Sequence, residues 1–110
     1  MDYPEAGELD KRVTFRRLQH MPAAGGGMTD EFPASFDRWA KITPVGTAAY
    51  LAGMQIDAKV THRIVVRFLE GVESDFQIVH RNVTYRVERS APLKGGRDFT
   101  VFEVEMLVNG

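Results

Sequence analysis

The chain contains no cysteine among its 110 residues. Disulfide bonds, Cys-ligated zinc, iron–sulfur clusters and cysteine nucleophiles are therefore excluded. Serine is nearly as scarce, and Ser35, Ser74 and Ser90 all stand outside a Gly-x-Ser-x-Gly nucleophile elbow. No apolar run approaches the ~20 residues that span a bilayer, and the acidic N-terminus lacks a signal-peptide pattern. We therefore expect a soluble protein, made in a cytoplasm, without a membrane partner.

An excess of either charge sign is also missing, since 14 Lys and Arg residues stand against 15 Asp and Glu residues. Nucleic-acid-binding proteins usually carry a positive excess, because phosphate contacts supply much of their affinity. Specific DNA binding is therefore not expected. Apolar residues make up 44% and charged residues 26% of the chain, as in a folded soluble protein. The length predicts a single domain over residues 1–110.

Residues that perform catalysis or hold cofactors form no recognisable constellation. His20, His62 and His80 lack His-x-His and Glu-x-x-His spacing, so no metal ligand is predicted. The run Gly25–Gly27 lacks the spacing of a phosphate-binding loop. Two glutamates on the last predicted strand share one face, where a solvated stripe is expected instead of an acid–base pair. The sequence thus predicts no catalytic residue, no cofactor, no small-molecule substrate and no enzymatic activity.

Alternation of apolar and polar residues dominates the sequence and predicts β-strands. In the clearest segment, Ile64, Val66 and Phe68 point one way and the residues between them point the other. Six segments follow such patterns: residues 11–18, 35–43, 61–69, 76–80, 83–88 and 99–108. An open sheet would leave two bare edges, so we predict an all-β fold, a small six-stranded antiparallel β-barrel.

The connections between these strands differ in length. The first two strands are separated by residues 20–34, a Gly- and Pro-containing stretch that we expect to be a long, mobile loop. Residues 1–8 are expected to be flexible as well. Thr47 is a candidate cap for one short helix over Ala48–Ala52. The pair Arg81–Asn82 predicts a two-residue hairpin turn in which the asparagine takes the left-handed conformation.

Met and aromatic side chains concentrate in the long loop and around the short helix, and such residues are enriched at protein interfaces. The candidates for contact with other proteins in these segments are Met28, Thr29, Asp30, Phe32, Tyr50 and Met54. A second interpretation is that Tyr50 and Leu51 plug one end of the barrel.

Basic and aromatic residues on neighbouring predicted strands leave another function open. They are His62, Arg63, Arg67, Arg81, Tyr85 and Arg86. Barrels that bind oligonucleotides combine aromatic platforms with a cationic track. Binding of single-stranded nucleic acid is therefore an alternative function, although interspersed acidic residues and a net charge of −1 weigh against it.

The order of these segments resembles the phage head–tail joining proteins of long-tailed phages, also called head-closure or head-completion proteins. Gly7–Phe15 is similar to the family's Gly-x-Leu-x-x-Arg-Val-x-Phe start, and Trp39–Ile42 is similar to its Trp-Ala-x-Ile strand. An Ala/Tyr/Gly stretch follows at Ala49–Gly53. The strand Thr61–Arg67 and the hairpin that ends in Val83–Val87 complete the resemblance.

The resemblance implies a structural protein of a phage or prophage virion neck. It implies a ring of identical subunits that joins the portal–adaptor assembly of the DNA-filled head to tail-end proteins, with DNA passing nearby. It also implies that residues 20–33 project from the barrel and help to close the channel. In such a ring, opposite charges on opposite flanks must meet between copies. Arg63 and Arg67 on one strand, with Glu103 and Glu105 on another, are the candidates.

Overall fold

A computed structural model describes residues 4–17, 19–22, 28–31, 35–45 and 59–107. Eight strands are present in this part of the chain: β1 (Lys11–Arg17), β2 (Gln19–Pro22), β3 (Met28–Glu31), β4 (Ser35–Pro44), β5 (His62–Arg67), β6 (Phe76–His80), β7 (Val83–Pro92) and β8 (Phe99–Met106). Six strands close into an antiparallel barrel in the order β1-β4-β5-β8-β7-β6, and β6 pairs back onto β1. The predicted six-stranded barrel is confirmed.

The barrel interior is filled by the apolar side chains that alternate along each strand. Phe15 and Phe102 are fully buried and meet edge to face, with ring centroids 5.3 Å apart. Phe36 stacks in parallel on Phe15 at 5.2 Å. Branched aliphatic side chains surround them: Val13, Ile64, Val66, Ile78, Val87 and Val104. Because large rings remove the most apolar surface from water, this aromatic centre contributes heavily to the stability of the barrel.

A smaller apolar cluster lies on the outer side of the barrel wall. Its members are Val65, Leu93 and Phe99, with Leu9 and Val101 packed against them. Leu93 belongs to a 3₁₀ turn between β7 and β8, and Leu9 follows a second 3₁₀ turn at Ala6–Glu8. The two turns therefore cover outward-facing apolar side chains of β5 and β8.

Strands β2 and β3 lie in the segment that the sequence predicts as a long loop. Gln19 pairs with Glu31 in a two-stranded sheet that is separate from the barrel sheet. Arg16 at the end of β1 pairs with Ser35 at the start of β4. The antiparallel pairing of these two strands is therefore followed, further along the chain, by the antiparallel pairing of β2 with β3. The connection thus contains a β-ribbon, and its mobility stays a prediction. The molecule is elongated, at 51 × 27 × 25 Å, as expected for a barrel with a projecting ribbon.

The hairpin between β6 and β7 has the predicted two-residue turn, with His80 paired to Val83. However, the residue with positive φ is Arg81, at 55°, and the expectation that Asn82 adopts this conformation is wrong. Two-residue turns of type II′ need positive φ only at their first position, whereas type I′ turns need it at both. Here only the first position, Arg81, has positive φ, so the strain falls on the arginine.

Some predictions concern segments that the structure does not test. The short helix over Ala48–Ala52 and its cap Thr47 lie outside the described residues. Within residues 1–8, the Glu5 amide donates to Glu8 Oε1 and the Glu8 amide donates to the Glu5 carbonyl oxygen, both at 2.9 Å, around the first 3₁₀ turn. The flexibility of this segment stays a prediction. In the described ranges, no helix has the length and apolar character needed to cross a membrane.

Candidate interaction surfaces

Three of the predicted contact residues lie on the ribbon. Met28, Thr29 and Asp30 belong to β3, and within the described residues β3 pairs with β2 alone. A strand with an unpaired edge can accept a further strand from a partner. Three other candidates lie outside the described residues: Phe32, Tyr50 and Met54. A contact role for all six stays a prediction.

The four charged candidates lie on two neighbouring strands, β5 and β8. Arg63 is the direct cross-strand partner of Glu103, so these residues share one side of the barrel. The expectation that the arginines and glutamates mark opposite flanks is therefore wrong, because alternation shows which face a residue takes but not the order of strands. The guanidinium of Arg67 lies 5.1 Å from the ring centroid of Phe99. An assembly role for these residues stays a prediction.

The two glutamates are bound by arginines of their own chain. Arg89 Nη2 donates to both carboxylate oxygens of Glu103 at 2.7 Å, and the Glu103 side chain is only 15% exposed. Glu105 accepts from Arg86, which also donates to Glu88 at 3.2 Å. These ion pairs neutralise most of the charge on the β7–β8 wall. The wall is therefore less able to bind a charged partner.

The opposite wall, formed by β1 and β4, presents a surface that the sequence analysis did not select. Trp39 on β4 is 52% exposed, and the guanidinium of Arg12 on β1 lies 5.6 Å from the centroid of its ring. Asp37 accepts a hydrogen bond of 2.7 Å from the Thr14 hydroxyl. This bond, together with the charge of Arg12, lowers the pKa of Asp37. We call Arg12, Asp37 and Trp39 the Arg–Trp patch.

A shallow cleft lies at the end of the barrel where β7 ends and β8 begins. One side is formed by the loop Phe68–Glu73, and the other side is formed by Ser90–Pro92 and Thr100. Ser90 Oγ donates to the carbonyl oxygen of Val72 at 3.1 Å, and the amide of Leu69 donates to Thr100 Oγ1 at 2.9 Å. The loop is therefore anchored to both strands.

Two exposed carboxylates, Glu70 and Glu73, line this cleft. In the described part of the chain, neither has an ion-pair partner. The cleft has a volume of about 200 Å³, below the ~300–1,000 Å³ that is typical of small-molecule sites. Among the described residues, no group of three His, Asp or Glu side chains is placed to hold a metal ion. We call this site the acidic cleft.

His62 and Tyr85 form a partly buried pair, with ring centroids 5.2 Å apart in an edge-to-face arrangement. Tyr85 is only 5% exposed, whereas an aromatic platform must be open to solvent to stack on a base. The Arg86 guanidinium already forms ion pairs with the carboxylates of Glu88 and Glu105, so it is not free to bind a phosphate. The basic and aromatic residues proposed for oligonucleotide binding therefore do not form one continuous track.

Burial lowers the pKa of His62 below its ordinary value of 6.5. As pH falls through that value, the unfolded chain binds a proton at this position before the folded protein does, so stability falls. We expect the free energy of unfolding, measured by urea titration, to decrease between about pH 7.5 and about pH 5, and His62→Gln to weaken this dependence. His80→Gln is the matched control. An unchanged pH profile in His62→Gln would contradict the assignment.

One protein-family model, described as phage head completion protein, matches residues 4–106. The match covers every strand described above. The chain belongs to the phage head completion protein family. The resemblance seen in the sequence is thereby confirmed, and membership makes this protein a virion component with a structural role in phage head assembly.

The fold agrees with a solved structure from a bacterium. The solution structure of protein SF1141 from Shigella flexneri 2a matches with a TM-score of 0.71 and 16% sequence identity, over 93% of this chain and 96% of that chain. At this identity the similarity concerns the fold alone. A search of curated proteins gives no match.

Proposed function

We propose that this head completion protein joins the DNA-filled head to the tail in the virion neck. The family match over residues 4–106 is the observation that supports this role most directly. Identical copies form a ring between the portal–adaptor assembly and tail-end proteins. The protein is made in the host cytoplasm and acts by binding, without catalytic turnover.

The β2–β3 ribbon is the element best suited to contact these partners. Each of its strands has four residues and pairs with the other in a sheet separate from the barrel. An isolated two-stranded sheet is marginally stable in water, so strands added by neighbouring subunits would stabilise it. In a ring, ribbons from all copies come close together and narrow the channel through which DNA passes.

Removal of the gene tests the proposal. We expect cells that produce phage without this protein to accumulate DNA-filled heads and complete tails that stay separate, because the neck lacks one component. Electron microscopy of the lysate measures the fraction of joined particles. The intact gene supplied in trans is the control and should restore joining. Joined, infectious particles made without the protein would refute the role in the neck.

A further inference from the structure

The Arg–Trp patch lies on the β1–β4 wall, and the acidic cleft lies at the barrel end beside β7 and β8, on the other side of the barrel. The strand order β1-β4-β5-β8-β7-β6 places β1 and β4 across from β8 and β7. Arg12 and Trp39 lie on the first pair of strands, and the cleft loop is anchored by Ser90 and Thr100 on the second pair. Head-to-tail contacts between identical copies require two different, complementary surfaces on one subunit, and these two surfaces lie on different sides of the barrel.

The patch has the composition of a contact centre. Trp39 leaves 52% of its surface in water, and the Arg12 side chain is 60% exposed. Arg12 and Asp37 are 3.4 Å apart, and such an exposed pair contributes little stability. The guanidinium lies over the indole face, and its Nε and Nη2 donate long hydrogen bonds of 3.4 Å to Asp37 Oδ2. Its Nη1 group has no such partner among the described residues and can donate to a carboxylate of another molecule. Trp and Arg are the residues that most often dominate binding energy at interfaces.

The acidic cleft offers the complementary groups. Most acidic side chains of the described barrel are bound by a Lys or Arg of the same chain, as seen at Glu8, Asp75 and Glu103. Glu70 and Glu73 differ, because within the described ranges no cation pairs with them. The cleft is also lined by apolar groups: Leu69, Ala91, Pro92 and Phe68, whose ring centroid lies 5.3 Å from the Arg97 guanidinium. One large side chain from another molecule can therefore find both a carboxylate and an apolar wall here.

We propose that the Arg–Trp patch of one copy docks into the acidic cleft of the next copy. Arg12 binds the carboxylates of Glu70 and Glu73, and the Trp39 indole packs against the apolar wall of the cleft. This inference rests on the proposed ring and assigns its repeating contact. Because the two surfaces differ, the same contact can be repeated from copy to copy until the ring closes.

Charge favours a protein partner over nucleic acid for the patch. The patch combines one cation, Arg12, with one carboxylate, Asp37, 3.4 Å away, so it has no net positive charge that would attract a phosphate chain. The net charge of −1 also gives no general attraction to DNA. The acidic cleft, in contrast, presents isolated carboxylates that match a single arginine.

Cross-linking in purified particles tests the contact directly. Because the chain has no cysteine, Ser35→Cys on β4, beside the patch, and Ser74→Cys, beside the cleft, introduce one exposed thiol near each surface and leave the residues of both surfaces unchanged. We expect a short bifunctional maleimide to convert the double variant into a ladder of covalent multimers on a denaturing gel. Each single variant is a control and should stay monomeric.

The outcomes separate this inference from the proposed function. Particles that contain the protein but give no ladder would overturn the docking contact and leave the neck role standing. Purified particles that lack the wild-type protein would refute the neck role itself. A ladder in the double variant alone supports the contact.

A charge exchange tests the assigned pairing. Arg12→Glu alone, or Glu70→Arg with Glu73→Arg, should reduce incorporation into particles by about tenfold or more, as expected when a charged residue at an interface centre meets its own sign. All three changes in one chain should restore incorporation. Arg81→Glu, the same charge change at the exposed β6–β7 turn, should have little effect. Failure of the triple variant to recover, with weaker oligonucleotide binding by Arg12→Glu, would assign the patch to nucleic acid and overturn the proposal.

Discussion

Replacement of Phe15 by alanine is expected to lower the free energy of unfolding by about 3–5 kcal/mol. Phe15 is fully buried, stacks on Phe36 and meets the edge of Phe102. The substitution leaves a cavity that three neighbouring strands cannot fill without breaking their pairing. Because small domains are stable by only about 5–15 kcal/mol, a large part of the variant is expected to be unfolded at physiological temperature.

Equilibrium urea unfolding measures this effect, with the slope compared between variant and wild type. Trp39→Ala is the matched control, because it truncates a large ring of β4 that is 52% exposed. It should cost about 1 kcal/mol or less. If both substitutions had equal effects, Phe15 would not be the centre of the barrel core.

Replacement of residues 19–31 by a short Gly–Ser linker is expected to abolish head–tail joining and leave the barrel folded. The ribbon pairs in a sheet of its own, and all six barrel strands lie outside the replaced segment. The free energy of unfolding should therefore change by less than about 1 kcal/mol, because a shorter linker also closes at lower entropic cost. The infectious titre should fall by several orders of magnitude.

Urea unfolding measures the stability of the barrel in this variant, and plaque titration measures whether the same variant supports head–tail joining. The control replaces only Gly25 and Gly27 by serine, which keeps β2, β3 and the length of their connection. It should support joining. Infectious particles from the ribbonless protein would show that the ribbon has no essential partner, whereas an unfolded barrel would show that the ribbon belongs to the folding unit.

The barrel could be predicted because each of its strands alternates apolar and polar residues. Val13 and Phe15 in β1, and Phe102 and Val104 in β8, mark the inner face by sequence alone and are fully buried in the structure. Closure followed from a general property of sheets, the instability of bare edges. These features depend on local pattern, which a single sequence contains.

The ribbon and the full length of β7 could not be predicted in this way. Residues of β2 and β3 do not alternate, and their pairing depends on a ladder that begins in β1 and β4. In β7, the register shifts between Val87 and Arg89, so the inner and outer positions change places. The segment Ser90–Pro92 therefore follows no single alternating pattern, although it pairs with β8.

The Arg–Trp patch was missed for a related reason. Alternation places Trp39 on the outer face, opposite Phe36 and Ala40, yet it gives no reason to single out this exposed residue. Arg12 lies beside Trp39 because of the register between β1 and β4. That register depends on pairing between residues far apart in the sequence. The lone tryptophan on an outward position was the available signal.

The short open edges of the ribbon have a consequence for the free subunit. A barrel without edges cannot pair with another barrel through its backbone, so in the described part the open edges are those of β2 and β3. Each has four residues, fewer than the six or seven, roughly, that stack into fibres. Pro22 removes one backbone donor from β2, and Asp30 and Glu31 place negative charge on β3. We therefore expect the free subunit to reach a high concentration before assembly without forming insoluble aggregates.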